Sequence, residues 1–228
     1  MNVRPIWATP NAEDLIIYMA RVSNPKNQNN PKIAGLVRYL ILHKHWSPFE
    51  LANLCVEIKT SRAISAQILR HRSFSFQEFS QRYSPVQEIE AIEIRRKADK
   101  NRQSSADVFD PVVGADTWYN PETKSLESEN IYASERIKEY VEDGQDLYKL
   151  LLNHDVAPET ARMILPMASQ TTLYMNGTLR SWIHYLELRT QDGVQKEHRE
   201  IALATKDIFK SYFPIISEAL GWSDERAE

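Results

Sequence analysis

The sequence predicts an α+β fold, because its apolar residues follow two different periods. From Glu50 to Lys59, apolar and polar residues alternate, which is the pattern of a half-buried β-strand. From Lys32 to His43 and from about Glu127 to Leu152, they recur at the spacing of amphipathic helices. With 228 residues, of which 42% are hydrophobic and 26% charged, the chain can bury a core, and we expect one domain over residues 1–228.

In the first third of the chain we expect, in order, a strand at 2–8, helices at about 12–22 and 32–43, a strand at 50–59 and a helix at 61–72. Pro10 and Asn11 form a turn before the first helix. The alternation in the second strand places Cys55 on its more polar face. In the next helix, Ile64 and Ile68 lie one turn apart and predict a core-facing side.

The middle of the chain has a different character. Residues 98–126 are rich in Ser, Asp, Asn and Pro without sustained periodicity, which predicts a long loop. After it we expect a long helix at about 127–152, a short helix from Pro158 to near Pro166, an extended link at 171–175, and helices at 178–189 and about 195–220. Pro158 suits the first turn of a helix, where its missing N–H is not needed.

Charge and composition argue against several classes of protein. A formal net charge of −3 disfavours a broad nucleic-acid surface. The single cysteine, Cys55, allows no internal disulfide, which suits a cytoplasmic protein. There is no signal-peptide pattern and no apolar run of about 20 residues, so we expect no membrane span. His43 and His45 lack a third ligand at a matching spacing, so we expect no metal site.

The densest group of polar residues runs from Arg70 to Ser84. It contains three arginines and a histidine within thirteen residues, interleaved with aromatic residues. Guanidinium groups bind phosphate bidentately and stay charged, so this segment predicts a nucleotide site. The alternative is structural: a solvated helix end followed by an amphipathic strand whose arginines pair with Glu78 and its neighbours.

The order of these residues resembles the signature of flavin-dependent thymidylate synthases. Arg70-His71-Arg72 is followed, after seven residues, by Ser80. Similar blocks occur elsewhere in the chain, namely Ala20-Arg21-Val22-Ser23, His45 to Glu50, Ala161 to Pro166, and Leu179-Arg180-Ser181-Trp182 through Leu188-Arg189. The resemblance covers nearly the whole chain except residues 86–125, and it implies that the sheet is mostly antiparallel.

The resemblance also implies which residues bind each ligand. For FAD these are Ser47, Arg70, His71, Arg72, Glu78, Thr178, Arg180 and His184. For dUMP they are Gln67, Arg70, Glu78, Phe79, Ser80, Gln81, Arg82, Arg162 and Arg189. Arg70, Arg82 and Arg162 suit the phosphate, and Arg189 is implied as the catalytic residue that favours loss of the uracil N3 proton and so makes C5 nucleophilic.

The implied reaction is reductive methylation of dUMP to dTMP. Methylenetetrahydrofolate supplies the carbon, and FAD reduced by NADPH supplies the electrons. The resemblance also implies that tetrahydrofolate is released and that the enzyme is a homotetramer with sites between subunits. Arg180 and His184 share one face of the predicted helix, whereas Arg189 points away, so one helix could serve two sites.

Several features depart from this interpretation or leave alternatives open. Gln77, Leu51 and Thr178 differ from residues common in the family. A classical cysteine-dependent synthase would have to use Cys55, which we interpret as structural. His154 and His198 are interpreted as surface or packing residues. The rival functions are a single-stranded nucleic-acid-binding module and a flavoprotein without methylation activity.

Overall fold

The main sheet has four strands, and their spatial order is β1 (Asn2–Ala8), β2 (Asn53–Ser61), β8 (Gln170–Thr178) and β3 (Ser75–Glu78). β1 pairs antiparallel with β2, and β3 pairs antiparallel with β8. This computed structural model describes residues 2–85, 88–100 and 104–222. The predicted α+β class with mostly antiparallel pairing is confirmed.

The chain divides into two compact units. The first comprises Met1–Thr60, Ile64–Phe79 and Thr171–Glu228, and the second comprises Ser61–Ala63 and Ser80–Gln170. The helices of the first unit are α1 (Ala12–Ala20), α2 (Ala34–Leu42), α3 (Arg62–Ile68, from Ile64 onward), α6 (Leu179–Arg189), α7 (Lys196–Tyr212) and α8 (Pro214–Ala219), with short 3₁₀ turns at Pro25–Asn27 and Ser47–Leu51.

The core of the first unit is formed by apolar residues of the main sheet and its helices. Leu54 and Ile58 of β2 are completely buried, as is Trp182 of α6. The indole Nε1–H of Trp182 donates to the carbonyl of Leu54 at 2.9 Å, so a large side chain is buried with its polar atom satisfied. This bond fixes α6 on the sheet, and α6 carries most of the site described below.

The expectation that Cys55 lies on a polar face is wrong. β2 lies between β1 and β8, and Cys55 is buried like the residues on either side of it. A strand in the middle of a sheet covered on both faces buries both sets of side chains. Burial raises the pKa of the Cys55 thiol above its ordinary value.

The predicted loop at 98–126 is also wrong. The second unit contains a strand pair, β4 (Arg95–Lys97) with β5 (Ser105–Val108), and a long antiparallel hairpin of β6 (Val112–Asn120) with β7 (Ser125–Tyr132). Every residue of β6 except Asn120 is exposed. With neither face buried, the sequence has no apolar alternation that would mark the strand.

Other element boundaries shift for local reasons. In the second unit, α4 (Ala133–Asn153) starts later than predicted because β7 occupies the residues before it, and α5 (Pro158–Ala161) follows with a 3₁₀ turn at Arg162–Ile164. The predicted helix at 195–220 is two helices, because Pro214 lacks the N–H that would continue α7. The expected link at 171–175 is part of a nine-residue central strand, β8. No helix of the described residues is long and apolar enough to cross a membrane.

Candidate active site

Helix α6 begins at a side-chain cap. Thr178 precedes the helix in extended conformation, and its hydroxyl accepts a hydrogen bond from the backbone N–H of Ser181 at 3.3 Å. Thr and Ser are favoured at this position because they satisfy N–H groups that lack helical partners. The cap sets the start of the helix, and therefore the directions in which Arg180, His184 and Arg189 project.

A cavity of about 510 Å³ lies against one side of α6. Its walls combine a cation, a histidine, hydroxyls, carboxylates and aromatic and aliphatic groups, contributed by Trp46, Glu50, Ser73, Arg180, Ser181, Ile183, His184 and Glu187. Arg180 forms an ion pair with Glu50 at the wall. The predicted pairing of Arg180 and His184 on one helix face is confirmed, because both line this cavity.

Arg189, the last residue of α6, points elsewhere. Its Nε–H donates to Nε2 of His71 at 2.9 Å. His71 must therefore be unprotonated at Nε2, which leaves the ring neutral with its proton on Nδ1. Burial, together with the nearby Arg189 and His184, lowers the pKa of His71 to about 4, so the ring stays neutral near pH 7.

A second, fully buried histidine lies beside this pair. His198 of α7 lies completely out of solvent, and its ring meets that of His71 edge to face at 6.2 Å. Its Nε2 is 3.1 Å from the hydroxyl of Tyr185, and its Nδ1 is 3.3 Å from Oε1 of Gln67. Burial and the neighbouring Arg189 and His71 lower the pKa of His198 to about 4.

Glu78 is the last residue of β3, and its carboxylate is hydrogen-bonded by two hydroxyl groups. One of its carboxylate oxygens accepts hydrogen bonds from Ser65 at 2.5 Å and from Thr171 at 3.1 Å. Since each hydroxyl uses its only proton for this bond, the orientation of both side chains is set by the carboxylate.

In the second unit, two of the predicted phosphate-binding arginines meet at one residue. Arg82 pairs with the carboxylate of Glu159 at 3.0 Å, and Arg162 donates from Nε to the backbone carbonyl of the same Glu159 at 3.4 Å. The hydroxyl of Ser80 accepts from the backbone N–H of Arg82 at 3.4 Å. Gln81, next to them, is buried. This part of the chain thus concentrates two guanidinium groups and a hydroxyl.

Comparison of the sequence with known proteins identifies the family of this chain. The family model described as thymidylate synthase complementing protein matches residues 6–215. A probable flavin-dependent thymidylate synthase of Paramecium bursaria Chlorella virus 1 is 49% identical over 213 residues, which cover 92% of this chain and 91% of the viral protein. The chain belongs to the flavin-dependent thymidylate synthase family.

One further relative and one solved structure are also similar to this chain. The flavin-dependent thymidylate synthase of Synechocystis sp. (strain PCC 6803) is 47% identical over 210 residues, covering 92% of this chain and 90% of that protein. The crystal structure of a UMP/dUMP methylase, PolB, from Streptomyces cacaoi bound with 5-Br dUMP superposes with a TM-score of 0.75 at 22% identity, covering 96% of this chain and 94% of that chain. Because the sequence identity to PolB is only 22%, this comparison shows a shared fold and nothing more.

The other residues predicted to bind FAD or dUMP are mostly exposed. Arg70 and Arg72 flank His71 and are exposed, and Ser47 is exposed at the start of a 3₁₀ turn next to Trp46 of the cavity. Phe79 is partly exposed, and its N–H donates to the carbonyl of Thr172 at 2.8 Å. Most of the predicted residues thus lie in four described groups: at the α6 cavity, around the Arg189–His71 pair and His198, at Glu78, and around Glu159.

Sequence reasoning missed several residues near these groups. His198 was interpreted as a surface or packing residue in a solvated run, yet it is buried, with two polar side-chain partners. The signal was present, because His198 shares the helical spacing of the buried Ile201, Ala202, Thr205 and Phe209. Trp46, Ser73 and Glu187 of the cavity wall lie within the segments that resemble the family, but they were assigned no role. His154 is exposed, which agrees with its interpretation as a surface residue.

Proposed function

We propose that this protein methylates dUMP to dTMP, taking the carbon from methylenetetrahydrofolate and the electrons from FAD that NADPH has reduced. The observation that supports it most directly is the bond between Arg189 and a neutral His71 in a member of this family. Atoms and electrons balance, because NADPH and a proton supply the two electrons and two hydrogens that convert the transferred methylene to a methyl group and regenerate tetrahydrofolate.

The cavity beside α6 has the chemistry that FAD requires. Arg180 offers a cation for phosphate, the hydroxyls of Ser73 and Ser181 offer hydrogen bonds, and Trp46 and Ile183 offer apolar surface to a planar ring. We propose that Arg180 and His184 bind FAD here, and by position in the family motif Ser47, Arg70, His71, Arg72, Glu78 and Thr178 contribute. Bound FAD supplies the hydride chemistry that the side chains of the chain lack.

For dUMP we propose a phosphate site that includes Arg82, Arg162 and the hydroxyl of Ser80. Arg82 is bound to Glu159, but both partners are more than half exposed, and exposed pairs of this kind contribute little to stability. A phosphate, which accepts bidentate bonds, can therefore replace the carboxylate of Glu159. Arg70, Gln67, Glu78, Phe79 and Gln81 are assigned to the nucleotide by their positions in the family motif.

Arg189 is proposed to activate the base. Its Nε–H is committed to His71, which leaves the two Nη groups to face uracil. A guanidinium beside N3 and O4 stabilises the anion that forms when N3 loses its proton, and this raises electron density at C5. Because His71 is neutral, it orients the guanidinium without adding a second positive charge.

This mechanism needs no enzyme nucleophile, and the only cysteine is poorly suited to be one. The thiolate is the reactive form of cysteine, and burial raises the pKa of Cys55. We also propose a homotetramer with sites between subunits, in which residues of one site can come from more than one copy of the chain. Light scattering at the exit of a size-exclusion column measures that mass directly.

The direct test is a reaction with C5-tritiated dUMP, methylenetetrahydrofolate and NADPH, run with and without added FAD on purified protein whose visible spectrum has been recorded. The proposal predicts a flavin spectrum and FAD-dependent release of tritium with formation of dTMP and tetrahydrofolate. A flavin spectrum without release would favour a flavoprotein lacking methylation activity. A colourless protein that retains single-stranded DNA and releases no tritium would favour the nucleic-acid-binding module.

A further inference from the structure

His198 is a buried polar residue that has no part in the chemistry proposed so far. It lies on the face of α7 that otherwise buries Ile201, Ala202 and Phe209. Burying a polar ring is unfavourable unless its nitrogen atoms are hydrogen-bonded. Both of its nitrogens have partners, so the position is built to hold a histidine and not only to fill space.

The chemistry of the partners sets the direction of each bond. Oε1 of Gln67 is a carbonyl oxygen and can only accept, so Nδ1–H of His198 donates to it over 3.3 Å. In the neutral ring Nε2 is then the acceptor, and the hydroxyl of Tyr185 donates to it over 3.1 Å. The low pKa of His198, about 4, keeps the ring neutral near pH 7.

The other end of the Gln67 amide is also held. Its Nε2–H donates to Oε1 of Gln195 at 2.6 Å, and Gln195 is the residue just before α7. His198 follows Gln195 by three positions, so the first turn of α7 holds both ends of the amide. A side chain that would otherwise rotate freely at the end of α3 therefore has one orientation.

The same imidazole also packs on the Arg189–His71 pair. Its ring lies 6.2 Å from that of His71 at an interplanar angle of 85°, and Tyr185 meets His71 at 4.8 Å and 83°. His71 thus packs against both rings, which also contact each other, while its Nε2 accepts from Arg189. His198 therefore contacts both Gln67 and the ring that orients Arg189.

We propose that His198 is a positioning residue for dUMP: it holds the Gln67 amide and the His71 ring so that Gln67 and Arg189 present their polar groups to the nucleotide in one fixed arrangement. This inference rests on the proposed function, because Gln67 and Arg189 are assigned to dUMP there. A fixed arrangement raises affinity because less side-chain freedom is lost on binding.

The test measures dUMP binding by calorimetry, and kcat and KM for dUMP, on the FAD-loaded full-length protein and three variants. His198→Phe keeps a ring but removes both hydrogen bonds. His198→Asn retains a side-chain N–H near the position of Nδ1. Thr205→Val is the matched control, because it removes another buried polar group from the same helix face, one whose hydroxyl donates to the carbonyl of Ile201.

We expect His198→Phe to weaken dUMP binding and raise KM on the order of tenfold, the equivalent of one lost hydrogen bond. We expect His198→Asn to recover most of that loss and Thr205→Val to bind dUMP like the wild type, whatever its melting temperature. All four proteins are saturated with FAD before dUMP is added, because His71, which His198 contacts, is also assigned to FAD, and saturation keeps flavin content from affecting the comparison.

Two results would overturn the inference alone. One is wild-type affinity in His198→Phe, and the other is equal weakening in His198→Phe and His198→Asn, which would assign the effect to packing. A wild-type protein that neither binds dUMP nor releases tritium would overturn the proposed function, and the inference with it.

Discussion

Arg189 and His71 are joined by a hydrogen bond from Nε to Nε2, 2.9 Å long, across 118 positions of sequence. The bond fixes the plane of the guanidinium at the end of α6, because one of its donors is committed to a ring that is itself packed against Tyr185 and His198. The arrangement depends on neutral histidines, since a protonated His71 would offer Arg189 no acceptor.

The stability of the protein is expected to fall as pH drops from about 6.5 towards 4. His71 and His198 have pKa values near 4 in the folded protein, below the ordinary 6.5, so the unfolded chain binds more protons across this window. For the fully buried His198 the effect is on the order of 3 kcal/mol. Urea unfolding at a series of pH values should show a shallower dependence in His198→Phe than in the wild type.

The control for that experiment is His154→Phe, which changes an exposed histidine. Its pH dependence should match that of the wild type. If His198→Phe and the wild type lost stability in parallel between pH 6.5 and 4, the buried neutral histidine would not be the source of the effect.

Gly177→Ala is expected to destabilise the protein. A methyl group on Gly177 would lie 2.6 Å from Cε1 of Phe74, and this ring is held edge to face by Trp182 at 4.7 Å, so it cannot move away easily. Overpacking of this kind costs about 1–3 kcal/mol. Thermal and urea unfolding measure the change.

Gly35→Ala provides the matched control, since a methyl group there meets no atom within 4 Å and Gly35 lies in α2. Alanine favours helix over glycine, so this variant should be as stable as the wild type or up to about 1 kcal/mol more stable. Equal stabilities for the two alanine variants would contradict the close packing of Phe74 on β8.

Arg180→Ala is expected to lower the FAD content of the purified protein and to weaken FAD rebinding by at least about tenfold, because it removes the cation from the cavity wall. Arg38→Ala removes a similarly exposed arginine that pairs with Glu218 away from the cavity. It should retain wild-type FAD. Flavin absorbance per subunit measures the FAD content of each variant, and titration of each apoprotein with FAD measures its affinity. Unchanged FAD affinity in Arg180→Ala would place the flavin elsewhere.

Cys55→Ala is expected to retain wild-type kcat for dTMP formation. The substitution leaves a small cavity in β2 and should lower stability by roughly 1 kcal/mol, because Cys55 behaves as a buried apolar residue. Steady-state assays at 25 °C and a melting curve measure both quantities. Loss of activity in a folded, FAD-loaded variant would show that the thiol takes part in the chemistry.

Much of the fold follows from local sequence patterns, and the exceptions have physical causes. The strand at 2–8 and the helix ending at Arg189 lie where the sequence predicts them. The β6–β7 hairpin was missed because its exposed faces carry polar and apolar residues in no regular order. Cys55 was misplaced because an alternating pattern does not reveal that neighbouring strands and helices cover both faces.

The candidate site was predictable to a different extent. Family motifs supplied Arg70 to Arg82 and the α6 arginines, but the bond between His71 and Arg189 joins residues that no local pattern relates. His198 carried a readable signal in its helical spacing, which the charged residues around it obscured. The Gln67 amide is held by the start of α7, which only the tertiary structure brings near.

We propose that Arg189, oriented by His71, activates the uracil of dUMP. This role is tested by measuring tritium release from C5-labelled dUMP with Arg189→Lys, whose side chain keeps the charge but not the two-sided donor geometry. We expect release to fall by about 10²- to 10³-fold while bound FAD stays at the wild-type level. Release within a few-fold of the wild type, with FAD bound, would contradict it.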